Sequence, residues 1–386
     1  MRRPILWIPL LLILAGGLAA VLFLRPAEMD ERLAAQVLVT PAAMEGFTRA
    51  DGLRPLSFPS DFGPHPDYRT EWWYYTGNLD TEDGRHFGYE LTFFRVALLP
   101  PDLAIPRENN WATNQIFMAH FALTDVEAKE FHAFQRYARG AAGLAGAQTD
   151  PYLVWLEDWK VEQVSENEFR LHAANEGLSV DLQLVDDKGP VLHGDGGYSQ
   201  KGPEAGNASY YYSQTRLLTD GSIQVGDESF AVSGLSWKDH EYSTAVLSAG
   251  QVGWDWFAIQ LDDGYELMLY QIRREDGSAD LFSSGSLIGS DGSTRHLARE
   301  EFTIESTGIW HSPHSDADYP MGWLINIPGE NLQLTLTPYL VDQELNVTTI
   351  YWEGAVQVTG MHDGQTVGGS GYVELTGYAE AFNGDF

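Results

Sequence analysis

The 386-residue sequence predicts an all-β protein built as barrels or sandwiches, and three observations carry that expectation. Short runs alternate in polarity, among them Glu71-Trp-Trp-Tyr-Tyr-Thr76, Phe87-Gly-Tyr-Glu-Leu-Thr-Phe-Phe94 and Phe169-Arg-Leu-His172. Half-buried strands have this period of two. Asp-Gly pairs punctuate the chain at Asp83-Gly84, Asp220-Gly221, Asp263-Gly264, Asp276-Gly277, Asp291-Gly292 and Asp363-Gly364, and such pairs supply the positive φ of tight hairpins. The 39 glycines leave few stretches with a helical period, as expected of barrels and sandwiches. Within the body only Ala138–Ala147 reads as a helical candidate, and its glycines make a long helix improbable.

In chain order, Arg2 and Arg3 precede an apolar run from Pro4 to Leu24 that Arg25 and Pro26 close. Its 21 residues suffice to cross the roughly 30 Å hydrocarbon core of a bilayer. Leading arginines hold that end in the cytoplasm and send the rest outward. The small residues at Gly17–Leu18–Ala19 fit a signal cleavage site. An uncleaved anchor fits the length better, because the apolar run continues past them. Residues 27–54 read as a linker with a short helix at Met29–Val37, since Pro41 and Pro55 break anything longer. An internal echo then appears. Glu71-Trp-Trp-Tyr-Tyr-Thr-Gly-Asn-Leu79 with Phe87-Gly-Tyr-Glu-Leu91 resembles Gly253-Trp-Asp-Trp-Phe-Ala-Ile-Gln-Leu261 with Gly264-Tyr-Glu-Leu-Met268. Two similar β units imply two related barrels, with the first spanning 55–243 and the second 244–386.

Charge and composition exclude several functions. Twenty-three basic against 55 acidic side chains give a net charge of −32, the opposite of what a nucleic-acid binder needs. No cysteine is present, which removes disulfides, thiolate nucleophiles and cysteine zinc sites. Gly-x-Ser-x-Gly, His-Glu-x-x-His and Gly-Lys phosphate loops are missing from the sequence. His311-x-x-His314 with Asp316 and Asp318, between Pro313 and Pro320, reads as a solvated turn rather than a metal site.

Three clusters remain. In Trp237-Lys-Asp-His-Glu-Tyr242 a strand period puts Trp237, Asp239 and Glu241 on one face and Lys238, His240 and Tyr242 on the other. An acid beside tryptophan in an apolar barrel has its charged form desolvated and its pKa raised, which suits a general acid. The plainer alternative pairs Asp239 and Glu241 with Arg95 or Arg216. In Asp61-Phe-Gly-Pro-His-Pro-Asp-Tyr68, His65 is fixed between prolines ahead of Glu71, Trp72 and Trp73. His65 and Glu71 either flank a pocket mouth or cap a barrel end, with Glu71 on an arginine. In Asn207-Ala-Ser-Tyr-Tyr-Tyr-Ser213, Tyr210 and Tyr212 share a face and either line an apolar cavity or fill a core.

Together these clusters resemble the AttH / carotenoid 1,2-hydratase-like family. The resemblance rests on Asp61-x-Gly-x-His65-Pro-x-Tyr68-x-x-Glu71-Trp-Trp-Tyr-Tyr-Thr-Gly77 and Gly88-Tyr-Glu-Leu-Thr-Phe-Phe-Arg95. It extends through His120-Phe-Ala-Leu-Thr-Asp125, His193-Gly-Asp-Gly-Gly-Tyr-Ser199-x-Lys201, Trp237-x-Asp239-x-Glu241, Gly253-Trp-Asp-Trp-Phe and Tyr351-Trp-Glu-Gly354. It covers about residues 50–380. The resemblance implies two tandem lipocalin-like (calycin) β-barrels packed side by side behind the N-terminal signal or transmembrane helix.

It also implies a chemistry. Hydratases of this kind add water across an isolated double bond of an acyclic carotenoid, and their catalytic aspartate corresponds to Asp239, with Trp237 at the neighbouring aromatic position. His240 or Glu241 then orients the water, while Tyr210, Tyr212, His65, Glu71, Trp73, Arg95, Trp254 and Trp256 bind the ligand. The expected partners are a hydrophobic isoprenoid or lipid, the membrane through the leader, and an ABC-type transporter. No nucleic acid, metal or cofactor is expected. Two alternatives stay open, a non-enzymatic carrier of the same ligand and a hydrolase, all on the exported, periplasmic side.

Overall fold

The computed structural model describes residues 45–104, 111–245 and 247–380. The expected leader helix and the Met29–Val37 helix lie outside the described residues. No described helix is long and apolar enough to cross a membrane. Helix among the described residues is confined to short 3-10 turns such as Ser60–Phe62.

Two antiparallel sheets make up the body, one of 13 strands between Thr70 and Ser243, the other of 10 strands between Gln251 and Leu375. Both meander the same way. The first four strands run outward in order, and the remainder return until the last strand pairs with the first. In one sheet Thr70–Asp80 pairs with both His86–Ala97 and Glu228–Ser243. In the other, Gln251–Leu261 pairs with both Glu266–Arg274 and Gln365–Leu375. Each sheet therefore curls into a barrel or half-barrel, and the two halves of the sequence echo occupy matching strands.

Thr70–Asp80 is buried along most of its length, on both faces. That explains its unbroken aromatic run, because a strand with water on neither side has no polar face to show. Trp73 and Tyr75 point into the first sheet's core with Phe93, Trp159 and Leu171. Trp323, Trp352 and Phe257 fill the second core. Tyr74 turns the other way and joins Tyr211, Trp237, Trp256 and Tyr372 in a third cluster between the sheets. Each such side chain removed from water stabilises by about 1.5–3 kcal/mol. Gly88 permits the close approach, since a Cβ there would lie 2.6 Å from Ala355 of the other sheet. Glu266 bridges the sheets as well, 2.7 Å from Lys188 and in contact with Arg216.

Two local expectations fail. Asp220-Gly221 is no turn but lies inside the long strand Ala208–Val225. A side chain at Gly221 would come 2.2 Å from the Asp181 carbonyl oxygen, so glycine serves close packing there, while the other five Asp-Gly glycines do take positive φ. Ala138–Ala147 forms no helix. It splits between the ends of Glu130–Arg139 and Ala145–Gln148, and its small residues belong to the turn that joins those strands.

Candidate functional site between the two sheets

Strand alternation gives Glu228–Ser243 two chemically different faces. Lys238, His240 and Tyr242 point toward the first barrel's interior, and Trp237, Asp239 and Glu241 toward the second sheet. On that second side lies a cavity lined by Trp72, Tyr74, Tyr211, Asp239, Trp254 and Trp256, among others. The pairing register sets Asp239 beside Tyr74, Tyr74 beside Thr92, and Thr92 beside His120. These four residues form one row across four adjacent strands. The opposite wall carries Glu353, Glu374, Trp256 and Tyr270, also adjacent in register. Hydrogen bonds tie the walls together. Tyr74 donates to Glu353, the Trp256 indole to the Tyr211 hydroxyl at 3.0 Å, and His120 Nδ1 meets the Tyr351 hydroxyl at 2.7 Å.

Asp239 is 4% exposed. Its Oδ2 accepts from the Tyr211 hydroxyl at 2.5 Å, and its Oδ1 from the Trp237 indole at 2.6 Å and from Ser213. No arginine or lysine among the described residues pairs with it. Arg95 is held by Glu71 and Arg216 by Glu266, so the ion-pair alternative for Asp239 does not occur. Burial raises its pKa, the three hydrogen bonds oppose this, and the Glu241 charge adds to the rise. The carboxyl titrates at about 7.

The opposite wall is acidic and neutralised. Burial, then the neighbouring Glu374 and Glu90 carboxyls, push Glu353 well above the usual carboxylate range. Burial likewise raises Glu374 on that wall and Glu90 on the first sheet's His86–Ala97. Glu241, in contrast, lies 3.4 Å from Lys201, whose ammonium sits over the Tyr270 ring at 3.9 Å. The cavity thus holds carboxyl groups raised by burial and aromatic faces, together with the Glu241–Lys201 pair and the Arg69 guanidinium.

The structure separates the sequence-predicted residues into two sets. Asp239, Glu241, Trp254 and Trp256 line the cavity, and Trp237 reaches it through its bond to Asp239. The predicted ligand contacts Tyr210, Tyr212, His65, Glu71, Trp73 and Arg95 are on the far side of the sheet, as is the predicted water-orienting His240. There Glu71, fully enclosed, accepts from Arg95 Nε at 2.8 Å and lies 2.8 Å from His65 Nδ1 and 2.9 Å from His240 Nε2. His65 Nε2 meets Asp61 at 2.9 Å, and Tyr212 meets His240 Nδ1 at 2.8 Å. Trp73 stacks on His240 and donates to the Phe62 carbonyl at 3.1 Å. Tyr210 donates to the Gly52 carbonyl at 2.8 Å. Burial would raise Glu71, but the Arg95 charge and the two histidine bonds outweigh it and hold the carboxyl well below its usual range. Burial would lower His65, but its bonds to Asp61 and Glu71 outweigh that and raise it. Burial leaves His240 at about 4, hence neutral.

His65, Glu71 and His240 offer ligand atoms within 4.8 Å of one another. A cation there would have to displace these hydrogen bonds beside the Arg95 guanidinium, so the donor set suits a closed network better than a metal. His311 pairs with Asp316 and Asp318, and His314 with Asp342, all on the surface.

Sequence reasoning missed Tyr74, Tyr211, Ser213, His120, Glu353 and Glu374. Tyr211 is on the odd face of the tyrosine run, and only the register of Ser213 against Asp239 selects that face. His120 and Glu353 stand inside motifs that carried the family resemblance, yet nothing local in sequence sets either opposite Asp239.

A model of the AttH-like family matches residues 49–378. Among solved structures, one described as an AttH protein from Nitrosomonas europaea aligns with TM-score 0.76 and 35% identity, over 86% of this chain and all of that one. Kievitone hydratase from Nectria haematococca aligns with TM-score 0.63 and 18% identity, over 86% of this chain and 96% of its own. CghA with Sch210972 aligns with TM-score 0.52 and 13% identity, over 88% and 98%. Likeness to these last two extends to the fold alone. No curated protein matches the sequence.

Proposed function

The chain belongs to the AttH-like family, and from that membership we propose a hydratase-like protein with two lipocalin-like barrels and one ligand cavity between them. The cavity takes a hydrophobic isoprenoid or lipid, and Asp239 adds a proton to an isolated carbon–carbon double bond. The observation that carries this reading is a cavity-lining acid with a pKa of about 7 and no cationic partner among the described residues. A carboxyl so poised is protonated often enough, and acidic enough, to serve as a general acid near neutral pH.

The Asp239 proton forms a new C–H bond with one alkene carbon, and the other carbon becomes cationic. The ring faces of Tyr74, Tyr211 and Trp256 stabilise that cation. The new carboxylate keeps its three hydrogen bonds, from Trp237, Tyr211 and Ser213. Water held by Glu241 forms the C–O bond, and the proton it releases returns to Asp239. One water is added and the acid is restored. Export by the Pro4–Leu24 leader, retention at the membrane and work with an ABC-type transporter belong to the same proposal.

The test is incubation with an acyclic isoprenoid such as farnesol in ¹⁸O-labelled water, with mass spectrometry of the product. Wild-type protein yields a singly hydrated, labelled alcohol. Asp239→Asn lowers turnover about 10²- to 10⁴-fold and leaves affinity within a few-fold. Binding without turnover in both proteins selects the carrier reading instead.

A further inference from the structure

The cavity lining includes two buried polar groups whose hydrogen-bonding capacity the protein leaves unfilled. His120, 1% exposed, uses Nδ1 on the Tyr351 hydroxyl, and its Nε2 has no partner. Burial lowers its pKa to about 3, so the ring is neutral. Glu353, fully enclosed, accepts the Tyr74 hydroxyl on Oε1, and its Oε2 has no partner. Both residues line the same cavity as Asp239. A buried donor or acceptor left unmade costs about 1–3 kcal/mol, so two in one ligand cavity call for a ligand group.

Register gives the spacing. Asp239 and His120 share a row and are three strand steps apart, or about 14 Å at 4.7–4.9 Å per step. Chemistry gives the class. Burial and the neighbouring Glu374 and Glu90 carboxyls raise Glu353, so an anionic ligand group beside it is disfavoured. Of the cavity's cations, Lys201 is taken by Glu241, and Arg69 stands five residues before Tyr74 in the chain. A hydrocarbon leaves both atoms unpaired. A hydroxyl, which donates and accepts, satisfies the imidazole in either tautomer and accepts from the Glu353 acid. A carbonyl satisfies the donor half.

We propose that His120 and Glu353 form a second subsite that receives a neutral hydroxyl or carbonyl group of the ligand, with the imidazole three strand steps from Asp239 and the Glu353 carboxyl between them, on Tyr74. The substrate class is then an oxygenated amphiphile, not a bare hydrocarbon. This deepens the hydratase reading and rests on it for the cavity's use as a ligand site, though not on any reaction.

The experiment compares farnesol with β-farnesene, two 15-carbon probes that differ by one water, the hydroxyl of the first being replaced by a fourth double bond in the second, using quenching of the cavity tryptophans to measure Kd. Wild-type protein prefers farnesol about three- to tenfold, the worth of one buried hydrogen bond. His120→Phe brings the ratio to about one while farnesene affinity holds. Equal wild-type affinities overturn the proposal without recourse to any variant. A preference that survives in a folded His120→Phe protein, verified by thermal melting, overturns it too. Asp239→Asn keeps the preference; if it also keeps full turnover, the hydration mechanism falls and the subsite stands.

Discussion

Residues 239 and 240 are neighbours in one strand and belong to opposite kinds of polar cluster. His240 faces inward, into a set where Glu71, Arg95, His65, Asp61 and Tyr212 bond to one another and Arg95 Nη1 alone of their polar atoms has no partner. Asp239 faces outward, into a cavity where His120 Nε2, Glu353 Oε2 and Ser209 Oγ have no partner. Both clusters are buried and both hold carboxyl groups. In the inner one a guanidinium keeps Glu71 ionised, while in the outer one burial without a cation keeps Glu353 neutral and leaves Asp239 in balance near neutrality. A closed network contributes shape and rigidity. An open one keeps its hydrogen-bonding capacity for something that arrives from outside.

The sharpest way to break this comparison is to remove one charge from the closed side. Glu71→Gln leaves the Arg95 guanidinium, 1% exposed, without its counter-ion. Breaking a buried pair in this way costs about 3–5 kcal/mol, a large share of a domain's stability. Asp239→Asn removes no ion pair, and urea unfolding at pH 7 should find it within about 1 kcal/mol of wild type. Equal losses in the two variants would erase the distinction between latch and site.

The pH dependence should differ in sign as well. The Asp239 pKa is about 7 in the folded protein against 3.8 for an unperturbed aspartate, so the folded state holds the extra proton between those values. Stability from this group is full below about pH 4 and lost as pH rises through 7. Glu71 is lowered, so its contribution is present above its unfolded pKa and lost as pH falls through the folded one. His65 is raised, and its part is lost only as pH climbs past its folded pKa. Urea unfolding at pH 5 and pH 8 should show wild type losing stability at the higher value. Asp239→Asn should remove on the order of 2 kcal/mol of that loss. An unchanged slope would mean that Asp239 is ionised throughout.

Much of this is legible in the sequence. The β texture, the two matching units and the two-faced strand 237–242 follow from period-two patterning, which is local. The resemblance singled out Asp239, and Trp237 and Glu241 do share its face. What failed was assignment across strands. His65, Glu71, Trp73 and Arg95 are as polar and aromatic as cavity residues, and their motif is the most distinctive in the chain. Yet a one-residue alternation sends Trp73 inward and Trp72 outward, and only pairing decides which neighbour each meets. Tyr211 was passed over for Tyr210 and Tyr212 for the same reason. His120 and Glu353 were out of reach altogether, because the contact that unites them with Asp239 spans three strand steps on one wall and a second sheet on the other.

The finest discrimination comes from one change made on each side. Trp237 and Trp73 are both buried tryptophans whose indole N–H is used, the first on Asp239 at 2.6 Å, the second on the Phe62 carbonyl at 3.1 Å. Replacing either by phenylalanine removes a hydrogen bond and part of a ring, at a similar cost to stability. The consequence for chemistry differs. Trp237 donates to the carboxylate form and so favours ionisation of Asp239. Without it the acid should weaken by about one pKa unit, the scale of a hydrogen bond to a charged group. On the proposed mechanism turnover depends on the protonated acid and falls as pH rises through that pKa. In Trp237→Phe this alkaline limb should therefore move about one unit higher, with the maximal rate reduced. In Trp73→Phe the limb should stay where the wild type has it, since no group on the closed side exchanges a proton with substrate. If both variants moved the limb alike, the two faces of the strand would be electrostatically one site.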